Sequence, residues 1–314
     1  MNLTDLAKNF STAEEAREFL EKQRWPSGTI CPHCGLEGQS YRLQGSADSK
    51  TPVRKGVWKC GGCRKQFTVT VGTIFEDSHI PLNKWLMAIH LLCSSKKGMS
   101  AHQLHRMLGV TYKSAWFMAH RVRHAMTQEP LASKLSGTVE VDETYVGGKP
   151  REYGKRGRPG KDSKKVPVVA LVERNGNVRS FRVPTVSGKN LKQVIREHVD
   201  PKAAIMTDDF WAYKGLNKEF ASHDSIRHRS GFYGRREGKK NIHTNTVEGF
   251  FSIVKRGIHG VYHHVGRQHL QRYLTEYDFR YNSRQITDGE RTIMAIRRVG
   301  AKRLKYREAQ NKMV

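Results

Sequence analysis

Apolar positions recur at helical spacing through the first third of the chain. Leu82, Trp85, Leu86, Ile89 and Leu92 repeat behind Pro81, which predicts a helix opening at that proline. Ser100 to Leu108 and Thr111 to Met126 follow, separated by Gly109-Val110; Ser100 and Thr111 are N-cap residue types and the glycine supplies a turn, so the pair reads as a helix-turn-helix. Upstream, Ser11 with Glu14 three residues on reads as a capping box for a helix to about Arg24, ended by Pro26 and Gly28. From Gly137 the pattern changes. Strands are expected at Thr138–Val146, Val166–Glu173 and Val178–Val183, then a helix at Gly188–His198 and a strand at Ala203–Thr207. A short helix at Asp209–Asn217, a strand near Ser225–Arg229 and a helix at Thr246–Arg256 complete the series. Hairpin-linked strands followed by alternating units predict a mixed sheet with helices on its faces.

Four cysteines interrupt this pattern in two pairs, Cys31-Pro-His-Cys34 and Cys60-Gly-Gly-Cys63, 25 residues apart. A CxxC turn aims two thiolates at one point, and two such turns close a tetrahedron of sulfurs around Zn²⁺ at about 2.3 Å. Gly35, Gly61 and Gly62 suit those turns, and the strand-like runs Tyr41–Gln44, Val57–Lys59 and Lys65–Thr70 complete a zinc ribbon. Four sulfurs leave no open position for water, so the zinc is structural; in so small a module it supplies folding energy, on the order of 10 kcal/mol. The fifth cysteine, Cys93, lies in an apolar run and reads as an inert core thiol.

Charge then narrows the partner. The 314 residues carry 56 Lys and Arg against 29 Asp and Glu, a formal +27, which calls for a polyanion. Mean hydropathy is −0.67, no apolar run reaches membrane-spanning length, and the first thirty residues lack a signal-peptide pattern, so a cytosolic protein without a membrane partner is expected. Lys113, Arg121 and Arg123, with His120 and His124, are expected to face solvent on the second helix of the helix-turn-helix and to read DNA. The loop Lys149–Lys165 holds eight Lys or Arg against two acids, among them Lys155, Arg156 and Arg158, and reads as a flexible phosphate-binding arm. A second basic stretch, Arg227–Lys240, includes Arg235 and Arg236 and interleaves Phe232 and Tyr233, which could stack on bases or anchor a loop.

In so basic a chain, acids at element ends draw notice, because clustered carboxylates repel unless a cation holds them. Asp142 lies in the first predicted strand, Asp208 follows the fourth, and Glu248 opens a later helix, with separations of 66 and 40 positions between successive members. Each alone could be a salt-bridged residue, an N-cap or a helix-dipole partner. As a set they match the way a ribonuclease H-like sheet gathers three carboxylates at one edge. Hard oxygen ligands suit Mg²⁺ or Mn²⁺, and two ions about 3.5 to 4 Å apart could activate an attacking hydroxyl and stabilise the leaving oxygen. Lys255, seven residues after Glu248, lies on the same helix face, where its ammonium could meet a phosphate.

These cysteine pairs, with Val141-Asp-Glu-Thr-Tyr-Val-Gly-Gly-Lys149, Thr207-Asp208 and His243-Thr-Asn-Thr-Val-Glu-Gly-Phe-Phe-Ser-Ile-Val-Lys255, resemble the bacterial DDE-type insertion-sequence transposases with an N-terminal zinc ribbon, the family designated fifteen-ninety-five. The resemblance runs from the ribbon to Arg284. It implies that Asp142, Asp208 and Glu248 bind the divalent ions, that Lys255 is the basic residue after the glutamate, and that Arg267–Arg284 is a packing helix with a basic face toward DNA. The third acidic position varies in the family, some members carrying Asn, and Asn245 stands nearby. The activity implied is hydrolysis at each element end followed by attack of the freed 3′ hydroxyl on target DNA. Double-stranded DNA, as terminal inverted repeats and target, is the implied partner, with a homodimer or larger synaptic assembly, in the bacterial nucleoid.

The fold class expected is multidomain α+β: zinc ribbon plus helix-turn-helix, then a ribonuclease H-like α/β catalytic domain with a mixed sheet. The boundaries read as an N-terminal helix at 1–28, the ribbon at 29–75, the helix-turn-helix region at 76–129, a linker at 130–136, the catalytic domain at 137–285 and a basic helical tail at 286–314. The competing readings are a non-catalytic DNA-binding regulator or domesticated transposase, whose sign would be a missing carboxylate, and a junction-resolving nuclease, which would lack strand transfer. A tyrosine-nucleophile mechanism is disfavoured because His263 and His264 are adjacent rather than separated by a hydrophobe.

Overall fold

The computed structural model describes residues 4, 5, 8, 10–44, 53–127, 133–147, 165–227, 234–238 and 240–305. They divide into two compact units, one built from residues up to 126 together with those from 286 onward, the other from residues 127–285. None of the described helices is long and apolar enough to cross a membrane.

In the first unit, helix α1 (Ala13–Arg24) is opened by a capping box one residue later than expected. Thr12 has the extended backbone of an N-cap and exchanges bonds with Glu15, while the Ser11 hydroxyl donates to the same carboxylate at 2.7 Å. Strands β1 (Ser40–Arg42), β2 (Trp58–Cys60) and β3 (Gln66–Phe67) form a three-stranded antiparallel sheet. Trp25 meets Trp58 and Phe67 edge-on at 6.0 and 5.9 Å, giving this small sheet its apolar floor. Helix α2 (Leu82–Ser94) buries Trp85, Leu86, Ile89 and Leu92 as the spacing predicts, and Cys93 lies buried beside them. Helices α3 (Ala101–Leu108) and α4 (Tyr112–Ala125) are each capped by the expected hydroxyl, and Gly109 turns between them at φ +59°, where an L side chain is strained.

The segment after residue 285 contributes more than a basic tail to this unit. Helix α8 (Asp288–Arg297) opens with a Thr287–Glu290 capping box, and Ala295, Ile296 and Val299 are buried. Its Thr292 hydroxyl lies 3.0 Å from Nδ1 of His90, and Arg291 donates to the Cys93 carbonyl at 3.0 Å, so polar bonds as well as apolar contacts tie it to α2.

The second unit is a five-stranded mixed sheet. Strands β4 (Thr138–Val146), β5 (Val166–Glu173) and β6 (Val178–Arg182) are antiparallel neighbours, while β7 (Ala204–Asp208) lies parallel to β4 and β8 (Ser222–Ile226) parallel to β7, giving the order β6-β5-β4-β7-β8. Helix α5 (Gly188–His198) packs Leu191 and Ile195 on one face, against Val139, Val141 and Ile205. On the other face, α6 (Asn245–Gly257) and α7 (Leu270–Asn282) pack Val247, Phe250, Leu270 and Leu274 against Val168, Ala170 and Val172. β5 is buried along nearly its whole length between these layers, which is why its sequence is an unbroken apolar run.

Three local expectations change. The helix expected at 209–217 is two short 3₁₀ turns, Trp211–Tyr213 and Leu216–Lys218, divided by Gly215 at φ +88°. β8 begins three residues earlier than expected, because its residues pair in register with β7 from Ala204 to Asp208. Part of the second basic stretch is an exposed hairpin, β9 (Arg235–Glu237) with β10 (Lys240–Ile242). The basic arm, with Lys155, Arg156 and Arg158, lies outside the described residues, as do Phe232 and Tyr233.

Candidate active site and zinc centre

The ribbon's two turns bring four sulfurs together. Sγ of Cys31 lies 3.7 Å from that of Cys63, Sγ of Cys34 lies 3.6 Å from that of Cys60, and all four fall within 4.8 Å of one another. A tetrahedron with about 2.3 Å metal–sulfur bonds has edges of about 3.8 Å, which these two sulfur pairs match, so the donor set suits Zn²⁺. In each turn a backbone N–H returns to the first cysteine's carbonyl, Gly35 to Cys31 at 2.9 Å and Arg64 to Cys60 at 3.1 Å. Gly35 and Arg64 sit there at positive φ. Gly61 answers a different need: its N–H donates to the Gln39 carbonyl, and a Cβ would stand 2.6 Å from that oxygen. The Cys63 backbone N–H also pulls the Cys60 thiol down to about 6, toward the thiolate a metal needs.

The acids assemble on the α6 side of the large sheet. The parallel register of β4 with β7 ends at Glu140 opposite Met206, and carrying it on by two residues sets Asp142 beside Asp208 on the same face. Asp142 pairs across β5 with Ala170, which lies in the core layer beneath α6, and Glu248 sits in that helix's first turn. Burial, then the neighbouring charges of Glu143, Asp208 and Glu248, push the Asp142 carboxyl up to about 8. The three acids thus share one electrostatic neighbourhood. They stand wider than the sulfurs, because among the described residues only the cysteine quartet has all its ligand atoms within 4.8 Å.

Local hydrogen bonds fix each carboxylate: Asp142 accepts from the Glu143 N–H at 2.8 Å, Asp208 from the Phe210 N–H at 3.1 Å, and Glu248 from the Thr244 hydroxyl at 3.0 Å. The chemistry of the donors, hard carboxylate oxygens gathered around an Asp142 that its acidic neighbours push up, fits a divalent cation. Lys255 is exposed near the far end of α6, and Asn245 is exposed at its start.

Behind these acids stands Glu140, which the sequence reading passed over. Its fully buried carboxylate accepts from the Thr246 N–H (2.8 Å), the Val247 N–H (3.0 Å) and the Thr246 hydroxyl (2.9 Å), and so caps α6 from the sheet. Arg174 Nε lies 2.7 Å and His243 Nδ1 3.1 Å from the same carboxylate. Its position two residues before Asp142, hence on the same strand face, is the signal that could have found it. On the opposite face Glu143 accepts a 2.6 Å bond from the Tyr213 hydroxyl, whose proton is held well above the usual phenol range by burial and by Glu143 itself.

The basic candidates fare unevenly. Lys113 is exposed in the first turn of α4, and Arg235 and Arg236 are exposed on β9. Arg121 and Arg123 are corrected: they are only 5% and 2% exposed and do not face solvent. Arg121 donates to the carbonyls of Leu304, Ile74 and Glu76 and lies over the Phe117 ring, so its long stem and planar head serve packing. His120 is buried as well. The basic face expected within Arg267–Arg284 is reduced to its ends: Arg267 and Arg284 are exposed, while Arg272 and Arg280 are buried and Arg280 pairs with the buried Glu276.

Residues 134–282 match the ISXO2-like transposase domain, and residues 11–66 match the transposase zinc-ribbon domain. An uncharacterized protein in transposable element ISH50 of Halobacterium salinarum is 26% identical over 292 residues, 87% of this chain and 92% of that protein. An uncharacterized transposase-like protein of Haemophilus influenzae is 29% identical over 104 residues, covering 33% of this chain and 80% of its own length. Among solved structures, the Mos1 strand transfer complex overlaps 68% of this chain and 74% of its own at 10% identity, with a TM-score of 0.27. With both domains matched in order over most of its length, the chain belongs to the insertion-sequence transposases that join an N-terminal zinc ribbon to an ISXO2-like DDE domain.

Proposed function

We propose that this transposase binds the terminal inverted repeats of its insertion sequence and carries out metal-dependent DNA cleavage and strand transfer at Asp142, Asp208 and Glu248. The observation that carries this reading is the placing of Asp142 and Asp208 on the sheet face covered by the helix that bears Glu248, with Asp142 pushed up to about 8 by burial and its acidic neighbours. The strand order, with one acid each from the first strand, the fourth strand and a later helix, supports a ribonuclease H-like catalytic domain.

Bound between these acids, two Mg²⁺ or Mn²⁺ ions would supply Lewis-acid activation of the attacking oxygen and neutralise charge on the phosphodiester. The chain's own residues do the positioning. Glu140 fixes the first turn of α6 against the sheet and so sets where Glu248 projects. The backbone N–H groups of Glu143 and Phe210 orient the two aspartates. Lys255 offers an ammonium to a phosphate beside the scissile bond. The ribbon, stapled by Zn²⁺ at Cys31, Cys34, Cys60 and Cys63, and the α3–α4 helix-turn-helix would bind the DNA ends, with Lys113, Arg235 and Arg236 among the phosphate contacts. Action at paired ends calls for a dimer or larger assembly on double-stranded DNA.

The test is Asp142→Asn. The variant is expected to bind end-sequence duplexes as tightly as the wild type and to lose cleavage and strand transfer, read on labelled oligonucleotides with Mg²⁺ or Mn²⁺. Retained strand transfer would refute the site. Binding without cleavage by the wild type would favour the regulator reading instead.

A further inference from the structure

Trp211 is the most exposed large apolar side chain among the described residues, at 63% of its surface, against 52% for Met107 and 45% for Tyr112. It opens the 3₁₀ turn that begins three residues after Asp208, the last residue of β7. Three peptide units limit its Cα to about 11 Å from that of Asp208, a span of about three base steps at 3.4 Å.

The turn is anchored, so the exposure is not that of a frayed loop. The Phe210 N–H donates to the Asp208 carboxylate at 3.1 Å, and the Phe210 ring meets Trp211 edge-on at 5.4 Å and Tyr213 at 6.0 Å. Ala212 and Tyr213 are 2% and 1% exposed in the core layer under α5. An indole is thereby held out in water by a fixed base, at the edge where the acids gather. Arg227, with a side chain 74% exposed, pairs at 3.5 Å with Asp209, two residues before Trp211, and so brings a cation to this segment. An open aromatic face beside a cation is the chemistry that holds unpaired nucleic acid, by stacking on the base and attracting the phosphate. In a duplex both faces of each base are covered by neighbours, so only an extruded or terminal base can offer one.

We propose that Trp211 is a stacking platform for an unpaired nucleobase next to the phosphodiester held at Asp142, Asp208 and Glu248, an inference that rests on the proposed function. By positioning that base, the indole orients the scissile strand; it touches no reacting atom.

The test uses the full chain and a duplex bearing the inverted repeat that borders the coding region, with 5-iododeoxyuridine beside the cleavage position. Irradiation with the non-cleaving Asp142→Asn protein should attach that nucleotide to Trp211, as mapped by mass spectrometry. Trp211→Ala should bind the end normally and cut it roughly 5- to 150-fold more slowly, the range that base–aromatic stacking gives. Trp211→Phe should keep most of the rate, and removing the base opposite the flipped one should relieve the alanine defect, since unpairing then costs little. Adducts elsewhere with unimpaired cutting by Trp211→Ala would overturn the proposal, as would a defect the missing base does not relieve. Loss of self-association by Trp211→Ala with cutting intact would assign the indole to a second copy of the chain and overturn it too. A wild-type protein that cuts no end would overturn the proposed function itself, and the platform with it.

Discussion

Glu140 shows how one side chain can govern a site it does not enter. Its carboxylate has no exposure and holds together the start of α6, Arg174 and His243. Removing the charge from one partner of such a network leaves the others buried without compensation. Glu140→Gln is therefore expected to cost about 3 kcal/mol of stability, seen as a lower urea midpoint, and to weaken Mg²⁺ or Mn²⁺ binding by loosening the turn that carries Glu248. An unchanged midpoint would mean that α6 is held in place without it.

Asp278 on α7 makes a different kind of prediction. Burial pushes its carboxyl up to about 8, even though it accepts from the Ser180 N–H at 2.9 Å and from the Ser180 hydroxyl at 2.6 Å. In the unfolded chain the same group titrates near 3.9. The folded state therefore binds the proton more tightly, and the stability this brings is complete below about pH 4 and lost as pH climbs through about 8. Asp278→Asn should flatten that loss, so that the stability difference between wild type and variant shifts toward the variant from pH 5 to 8. Parallel urea curves at every pH would contradict it.

At the scale of elements, Zn²⁺ at the four cysteines would hold the ribbon more firmly than its three short strands, which pair over only two or three residues. Cys60→Ser should abolish zinc content by atomic absorption and collapse end binding, while leaving the mixed sheet's signal in hydrogen exchange. Much of the element plan was legible beforehand because burial leaves a period in the sequence: β4, β5 and α5 match their expected spans. The shifts came where the residues are polar or the backbone is special. β8 reads Ser-His-Asp-Ser-Ile, without an alternation to fix its start, and Gly215 breaks what composition suggested was one helix.

The candidate site was half legible. Asp208 and Glu248 stand at element ends, and Asp142 follows Val139 and Val141 in the middle of a strand, so each charge is visible in the sequence. Glu140 was hidden because its partners, Arg174 and His243, come from segments distant in sequence. Arg121 and Arg123 misled because helical spacing tells which residues share a face but not whether that face meets water or carbonyl oxygens.

For the whole molecule, an excess of 27 positive charges would make salt the main control on the proposed DNA binding. Binding to end-sequence duplex is expected to fall by about 10³ or more between 50 and 200 mM salt, the loss that six to ten phosphate contacts produce. A nearly flat dependence would mean that the charge serves something else. A chain stopped at Gln285 should fare worse than one losing a mere tail, because it lacks α8, and exposed apolar surface should appear as dye binding.

That helix also sets a timetable for biosynthesis. About 160 residues separate the two segments of the first unit, and at 5 to 20 residues per second the ribosome needs roughly 8 to 30 seconds to bridge them. During that interval the nascent N-terminal segments wait for their last partner while the sheet that carries the acids is made and can close, so the unit that holds the ribbon matures after the unit that holds the three acids.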